Sequence, residues 1–258
     1  VKSQIFESAA RFAVGAGRSA LNAVTPPLCP ITQDPTQGPA QLSPAAWAAL
    51  HFIERPFCAR CGLPFSTDYG AGFECAKCIA EPPVFDCARA AFVHQDAARK
   101  LVSRFKYSDR TELGGLLARA MARAGKDLIS KDAVIAPIPL HWRRRVARRF
   151  NQSALLAEEI SKLTGAALEL RLCVRKRATP PQVEMDSESE RRRNVAGAFA
   201  VSGAYRGKVK GAKIVLVDDV LTTGATLSAA ARALKAAGAA RVDALVLTRV
   251  VRGAGGAI

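Results

Sequence analysis

The chain has 258 residues, 49% of them apolar and 23% charged, proportions that exclude a disordered chain, a collagen-like repeat and a coiled-coil rod. Lys and Arg number 38 against 22 Asp and Glu, a net charge of +16 that predicts attraction to polyanions or phosphorylated ligands and says nothing about fold. The longest uncharged stretch, Pro35 to Ile53, is broken by Pro35, Pro39 and Pro44, so no membrane span is expected.

At the N-terminus Ile5, Phe6, Ala9, Phe12 and Ala13 recur at helical spacing, while Glu7 and Arg11 interrupt any signal-peptide core. The pattern predicts an amphipathic docking helix on a cytoplasmic chain. Pro26 and Pro27 end it, and Cys29 to Pro44 reads as irregular loop. A small cysteine-bearing module follows, too short to fold on apolar burial alone. After Pro82 and Pro83 strands and helices alternate. Ala90–His94 is a strand candidate, Ala97–Tyr107 and Glu112–Ala124 are amphipathic helices, Ala133–Ile138 is a buried strand and Asn151–Thr164 a helix. Lys213–Val217 and Asp243–Thr248 are continuous apolar strands flanking the helix Thr226–Ala237, a βαβ unit with Gly238 at the helix C-terminus. No internal repeat is read. The organisation expected is an N-terminal segment (1–50), a zinc ribbon (51–84) and an α/β parallel-sheet domain (85–258).

Cys58, Cys61, Cys75 and Cys78 form two C-x-x-C knuckles. Two residues between thiolates let one tight turn present both sulfurs to a tetrahedral ion, and Gly62 supplies a permissive backbone after the first pair. Four thiolates leave no open position for water, so the zinc expected here is structural; a redox dithiol pair and, behind it, an iron-sulfur cluster are the competing readings. Cys29, Cys87 and Cys173 lack partners at motif spacing and read as small buried hydrophobes.

The strongest signal is Val215 to Thr226, VLVDDVLTTGAT: an apolar strand, two adjacent acids, a Thr-Thr-Gly turn and a helix start. A parallel strand opening into a helix presents free N–H groups and a positive dipole end to a phosphate. Gly224 lets the backbone approach closely, and Thr222, Thr223 and Thr226 add hydroxyl donors. Asp218 and Asp219 suit sugar hydroxyls or magnesium beside that phosphate. The bland alternative is an N-capped strand-to-helix joint with solvated acids. A Walker A loop and a dinucleotide fingerprint are both absent.

These residues resemble the phosphoribosyl pyrophosphate (PRPP) motif of type I phosphoribosyltransferases. With CARCGLPF, PPVFDCARAAF, RFKY, APIPLHWRR, RRFNQSALLA, RKRATPPQ and RRRNVAGAF, nearly the whole chain resembles the ComF family of competence-associated proteins. The resemblance implies a parallel-sheet type I phosphoribosyltransferase fold behind a zinc ribbon. It implies that Asp218 and Asp219 hold the ribose hydroxyls and act in catalysis, that Thr222, Thr223, Gly224, Ala225 and Thr226 cradle the 5′-phosphate, and that Val220 and Leu221 belong to the same PRPP-binding stretch. Pro137, Ile138, Pro139, Leu140 and His141 fall at the pyrophosphate loop, and Lys106 is a further PRPP contact. Arg143, Arg144, Arg145, Arg148 and Arg149 form a cationic lip beyond that loop, with solvated surface as the alternative. His141 reads as a proton-transfer group or as packing beside Trp142.

The family's second pair of knuckles falls on Cys29, Thr32, Ser43 and Ala46, so a single zinc is expected, and Arg148 stands where the family has Gly. Three functions stay open. The first is a phosphoribosyltransferase using PRPP and magnesium with an unidentified acceptor. The second is a PRPP-binding factor gripping single-stranded DNA through Arg143, Arg144, Arg145, Arg191, Arg192 and Arg193. The third is an adaptor for a helicase-like partner. Phe150 and Tyr107 are the aromatic residues nearest the basic runs.

Overall fold

The computed structural model describes residues 26–107, 110–140, 150–176 and 193–251. The N-terminal helix expectation, His141 with the arginines from Arg143 to Arg149, and Arg191 and Arg192 lie outside the described residues. Two compact units are present, residues 1–49 and 50–258.

In the first unit Leu28 bridges Pro35, and one short helix, α1 (Pro44–Ala48), is capped by the Ser43 hydroxyl, which accepts from the Ala46 N–H at 3.1 Å. The stretch read as irregular loop is therefore an ordered turn. Its hydrogen bonds run from Cys29 N to Asp34 O at 2.8 Å and from Gln33 N to Cys29 O at 3.0 Å.

The second unit opens on the cysteine knuckles, the second of which leads into α2 (Ala76–Ala80). Then come β1 (Ala88–Val93), α3 (Asp96–Tyr107), a 3-10 turn, α4 (Gly114–Ala124) and β2 (Ala133–Pro137). After these follow α5 (Gln152–Thr164), β3 (Ala167–Leu168), β4 (Cys173–Arg175), β5 (Phe199–Val201), α6 (Arg206–Val209), β6 (Lys213–Leu221), α7 (Ala225–Ala236) and β7 (Arg241–Arg249). The main sheet has the order β1-β7-β6-β2-β3 with every pair parallel. The β4–β5 hairpin is a separate antiparallel pair.

Parallel strands buried on both faces explain why KIVLV and DALVLT are unbroken apolar runs. Ile214, Leu216, Val242, Ala244 and Val246 pack with α7, Phe85 and the hairpin in one core. Leu245, of opposite parity, meets the end of α4, where a Cβ on Gly125 would lie 2.7 Å from the Leu245 side chain. Gly114 brings α4 close to α5, its Cβ position lying 3.1 Å from Leu155. Among the described residues no helix is long and apolar enough to cross a membrane.

The element ends differ from the expectation in an informative way. Strand β6 continues to Leu221 because Asp218 and Val220 pair in register with Val246 and Thr248 of β7. Asp218 and Asp219 thus stand on a strand rather than in a loop, which fixes their backbone. Asn151 is the cap of α5, its side chain accepting from the Ser153 N–H at 3.1 Å.

Candidate functional site

At the C-terminal edge of the sheet, where ligands bind in open α/β folds, β6 delivers the acid pair and then the turn Thr222–Gly224. Gly224 adopts φ 81°, and a Cβ there would also meet Phe85 at 3.3 Å, so both backbone conformation and space favour glycine. Helix α7 starts immediately after it, aiming its N-terminal N–H groups at the turn; the Thr223 hydroxyl accepts from the Ala225 N–H at 3.4 Å.

The acids are held from three directions. Lys106, near the end of α3, pairs with Asp219 Oδ2 at 2.8 Å. Buried Gln152 donates to the Lys106 carbonyl at 3.2 Å and tethers that end of the helix. Ser153 donates its hydroxyl to Asp218 Oδ1 at 3.0 Å, and the Asp219 N–H donates to the same oxygen at 2.9 Å. Burial, then the charge of Asp219, pushes the Asp218 carboxyl up to about 7. Pro137 ends β2 beside β6, Ile138 N donates to Val217 O at 2.9 Å, and Pro139 and Leu140 continue half-buried from there. Lys106, Asp218, Asp219 and the start of the 137–141 segment are therefore brought to one edge.

Ser153, Gln152, His94 and Thr248 join this cluster and were not singled out by sequence reasoning. His94 Nδ1 lies 2.9 Å from Thr248 Oγ1, which donates to the Asp219 carbonyl at 3.3 Å. For Ser153 and Gln152 the FNQS run was a usable signal, but for His94 there was none. Phe150 packs edge-on against Phe105, with centroids 6.0 Å apart, so its ring is engaged in packing.

Beside the turn Thr222–Gly224 lies a cavity of about 560 Å³ walled by Pro82–Phe85, the Val195–Gly197 turn and one side of α7. Lys77, Arg193, Arg232 and Arg249 line it, whereas Asp218 and Asp219 do not. Arg193 thus belongs to the wall of a concave pocket.

The four knuckle sulfurs lie within 4.8 Å of one another, with Cys61 and Cys75 Sγ 3.7 Å apart. Tetrahedral zinc with bonds of about 2.3 Å needs edges of about 3.8 Å, so the donor set fits the ion. The Cys61 and Cys75 N–H groups donate to Cys58 Sγ at 3.4 and 3.3 Å. The Cys61 side chain, with these N–H donors, holds the Cys58 thiol down at about 4, while burial raises Cys78 to about 12.

The knuckle is bolted to the sheet edge. Ala88 N donates to Arg60 O at 2.6 Å, buried Arg89 donates to Ala59 O at 3.0 Å, and Arg249 donates to Cys61 Sγ at 3.2 Å. Cys173 is buried as expected, but Cys87, just before β1, is only half-buried, and its sulfur accepts from Arg241 at 3.4 Å.

The first unit repeats the knuckle's backbone, correcting the reading that the chain has no internal repeat. Gln33, four residues after Cys29, has φ 65°, and Gly62, four after Cys58, has φ 66°. Cys58 N bonds Leu63 O at 2.8 Å as Cys29 N bonds Asp34 O at 2.8 Å, and Phe57–Pro64 and Leu28–Pro35 are matching bridges. Ser43 caps α1 where Cys75 caps α2. The residues at the four ligand positions do not fit a metal. Thr32 Oγ1 and Ser43 Oγ share a 2.8 Å hydrogen bond, and Ala46 offers no donor atom. Burial raises the Cys29 thiol, but the Ser43 N–H, the Thr32 hydroxyl and neighbouring N–H groups outweigh it and hold the thiol at about 7. A hydroxyl pair closes this turn where four cysteine sulfurs converge in the other.

A five-stranded parallel sheet, an acid pair ending its central strand, a threonine-glycine turn at a helix start and a docked four-cysteine knuckle define a phosphoribosyltransferase-type domain with a zinc ribbon. Sequence comparison agrees. A phosphoribosyl transferase domain model matches residues 152–255, and a double zinc ribbon domain model matches residues 20–79. The chain is 32% identical over 200 residues to the DNA utilization protein YhgH of Salmonella typhimurium, covering 75% of this chain and 84% of that protein. It is 27% identical to competence protein F of Haemophilus influenzae over 75% of this chain and 85% of that one. To competence protein ComFC of Bacillus subtilis it is also 27% identical, over 78% and 80%. The chain belongs to the ComF family of competence and DNA-utilization proteins.

Proposed function

We propose that this protein binds PRPP with magnesium at the C-terminal edge of the sheet and transfers its phosphoribosyl group to an acceptor, releasing pyrophosphate. The observation that carries the reading is the acid pair itself. Asp218 has one oxygen saturated by Ser153 and a backbone N–H, leaving the other for a sugar hydroxyl, while Asp219 is paired to a lysine that a ligand can displace. An ordinary helix cap requires neither arrangement.

In this reading the 5′-phosphate lies on the turn Thr222–Thr226, cradled by N–H groups at the start of α7, with Val220 and Leu221 as the adjoining strand backbone. Asp218 and Asp219 hold the 2′ and 3′ hydroxyls. The segment Pro137–Leu140 and Lys106 face the diphosphate. Phosphoribosyl transfer passes through a cationic sugar, so the protein's work is to hold the ribose in line and to accept negative charge on the departing diphosphate. Magnesium, when bound, neutralises part of that charge.

A second reading is favoured by the net charge of +16 and by relatives named for competence and DNA utilization. In it the protein handles single-stranded DNA or docks a helicase-like partner in DNA uptake and keeps the PRPP site as a ligand-binding device. Pyrophosphate release separates the two. Turnover with a panel of acceptors, abolished in Asp218→Asn/Asp219→Asn, supports transfer. PRPP binding without release, together with salt-dependent DNA binding weakened by Arg191→Ala/Arg192→Ala/Arg193→Ala, supports the second.

A further inference from the structure

We propose that the imidazole of His94 takes the proton from the acceptor that attacks the sugar's anomeric carbon. The inference rests on the phosphoribosyl-transfer reading above and adds a base and an acceptor class to it.

His94 follows β1 directly, and its N–H donates to the Arg249 carbonyl at 2.7 Å, so its backbone is fixed at the ligand-binding edge of the sheet. A chain of hydrogen bonds sets its tautomer. The Thr248 hydroxyl has one proton, which it gives to the Asp219 carbonyl at 3.3 Å. His94 Nδ1 lies 2.9 Å from the same oxygen; with the hydroxyl proton on the Asp219 carbonyl, Nδ1 carries the hydrogen and Nε2 keeps the lone pair, the tautomer that the proposal uses. This is a base oriented by a neighbour, the arrangement that proton transfer requires.

The protonation state agrees with the geometry. Burial, then the charges of Lys106 and Arg99 on α3, lower the affinity of His94 for a proton, and Asp219 on β6 opposes them more weakly. The imidazole is thus neutral and able to accept at neutral pH. In the reading above Asp218 and Asp219 take the ribose hydroxyls and Lys106 faces the diphosphate, while Arg249 donates to Cys61, so none of these serves as the base.

The step balances without a further reagent. The bond between the anomeric carbon and the diphosphate oxygen breaks, its electron pair leaving on the diphosphate. The acceptor's lone pair forms the new bond to that carbon, and the acceptor's proton passes to Nε2. The imidazolium returns the proton to water once products leave. A base is needed only by an acceptor whose attacking atom carries a proton, an N–H or O–H group, and not by an anion or a tertiary amine.

The test measures pyrophosphate release from PRPP and magnesium with water and with hydroxylamine as probe acceptors, beside calorimetric PRPP affinity. His94→Gln should lower release by about 100-fold, the usual scale of general-base loss, with PRPP affinity within about twofold of wild type. Added imidazole should restore part of the rate, which a packing role would not allow. Thr248→Val should lower release as well, by less than His94→Gln, and move the acidic limb of the rate–pH profile. Equal rates in wild type and His94→Gln, or loss of rate without imidazole rescue, would overturn the assignment. So would a wild type that binds PRPP yet releases no pyrophosphate, in which case the ligand reading stands alone. A wild type that does not bind PRPP removes both.

Discussion

Replacing Asp218 with asparagine should stabilise the protein at alkaline pH while disabling the site. Asn keeps an oxygen in place for the bonds from Ser153 and the Asp219 N–H, which span 3.0 and 2.9 Å. What it removes is a carboxyl that burial and the Asp219 charge push up from 3.8 to about 7. The folded state therefore binds this proton more tightly than the unfolded chain, so stability from this group is present below pH ~4 and is lost as pH rises towards 7. A rise of about three pH units corresponds to about 4 kcal/mol, which partial contact with water reduces to about 2–4 kcal/mol. Thermal unfolding of both proteins from pH 4 to pH 8 reads the contribution of the coupled acid pair, since Asp218 and Asp219 titrate together. At pH 8 the variant should melt higher, by about 5–10 °C on the usual scale for a chain of this size, and near pH 4 the two curves should meet. A variant that melts at or below wild type at pH 8, with an unchanged gap across the range, would refute the electrostatic account of the acid pair.

Three further outcomes follow from the geometry. Purified protein should carry one zinc per chain by mass spectrometry, and Thr32→Cys/Ser43→Cys/Ala46→Cys should carry two, since the backbone of the first turn already matches the metal-bearing one. Gly62→Ala places a Cβ 2.7 Å from the Ala88 carbonyl at φ 66°; a loss of about 3 kcal/mol and faster zinc release to a chelator should be seen by thermal unfolding and a colorimetric dye. Gly224→Ala, at φ 81° and 3.3 Å from Phe85, should weaken PRPP binding by about 10-fold or more while the protein stays folded by circular dichroism.

The parts of the site that could be read in the sequence are those built from neighbouring residues. Acids, turn and helix start occupy twelve consecutive positions, and the knuckle cysteines need one short spacer, so spacing alone identified them. The strand-long pairing of β6 with β7 was underestimated because Asp218 and Asp219 interrupt the apolar run at which a periodicity reading stops; the backbone ladder continues regardless of side-chain polarity. Contacts that depend on topology were not legible. Ser153 meets Asp218 across 65 positions and His94 meets Thr248 across 154, and only the order of strands in the sheet brings them together. The family resemblance located the second pair of knuckle positions, but spacing alone did not show that the turn is kept, because three of the four ligand positions have changed chemistry and the left-handed residue is Gln33 rather than a glycine.

Calorimetric titration with PRPP, run with and without magnesium, tests the central claim most directly. The account predicts one site per chain, tighter binding with magnesium, and loss of the binding heat in Asp218→Asn/Asp219→Asn. Binding of equal strength in that double variant, or no heat in the wild type, would contradict it.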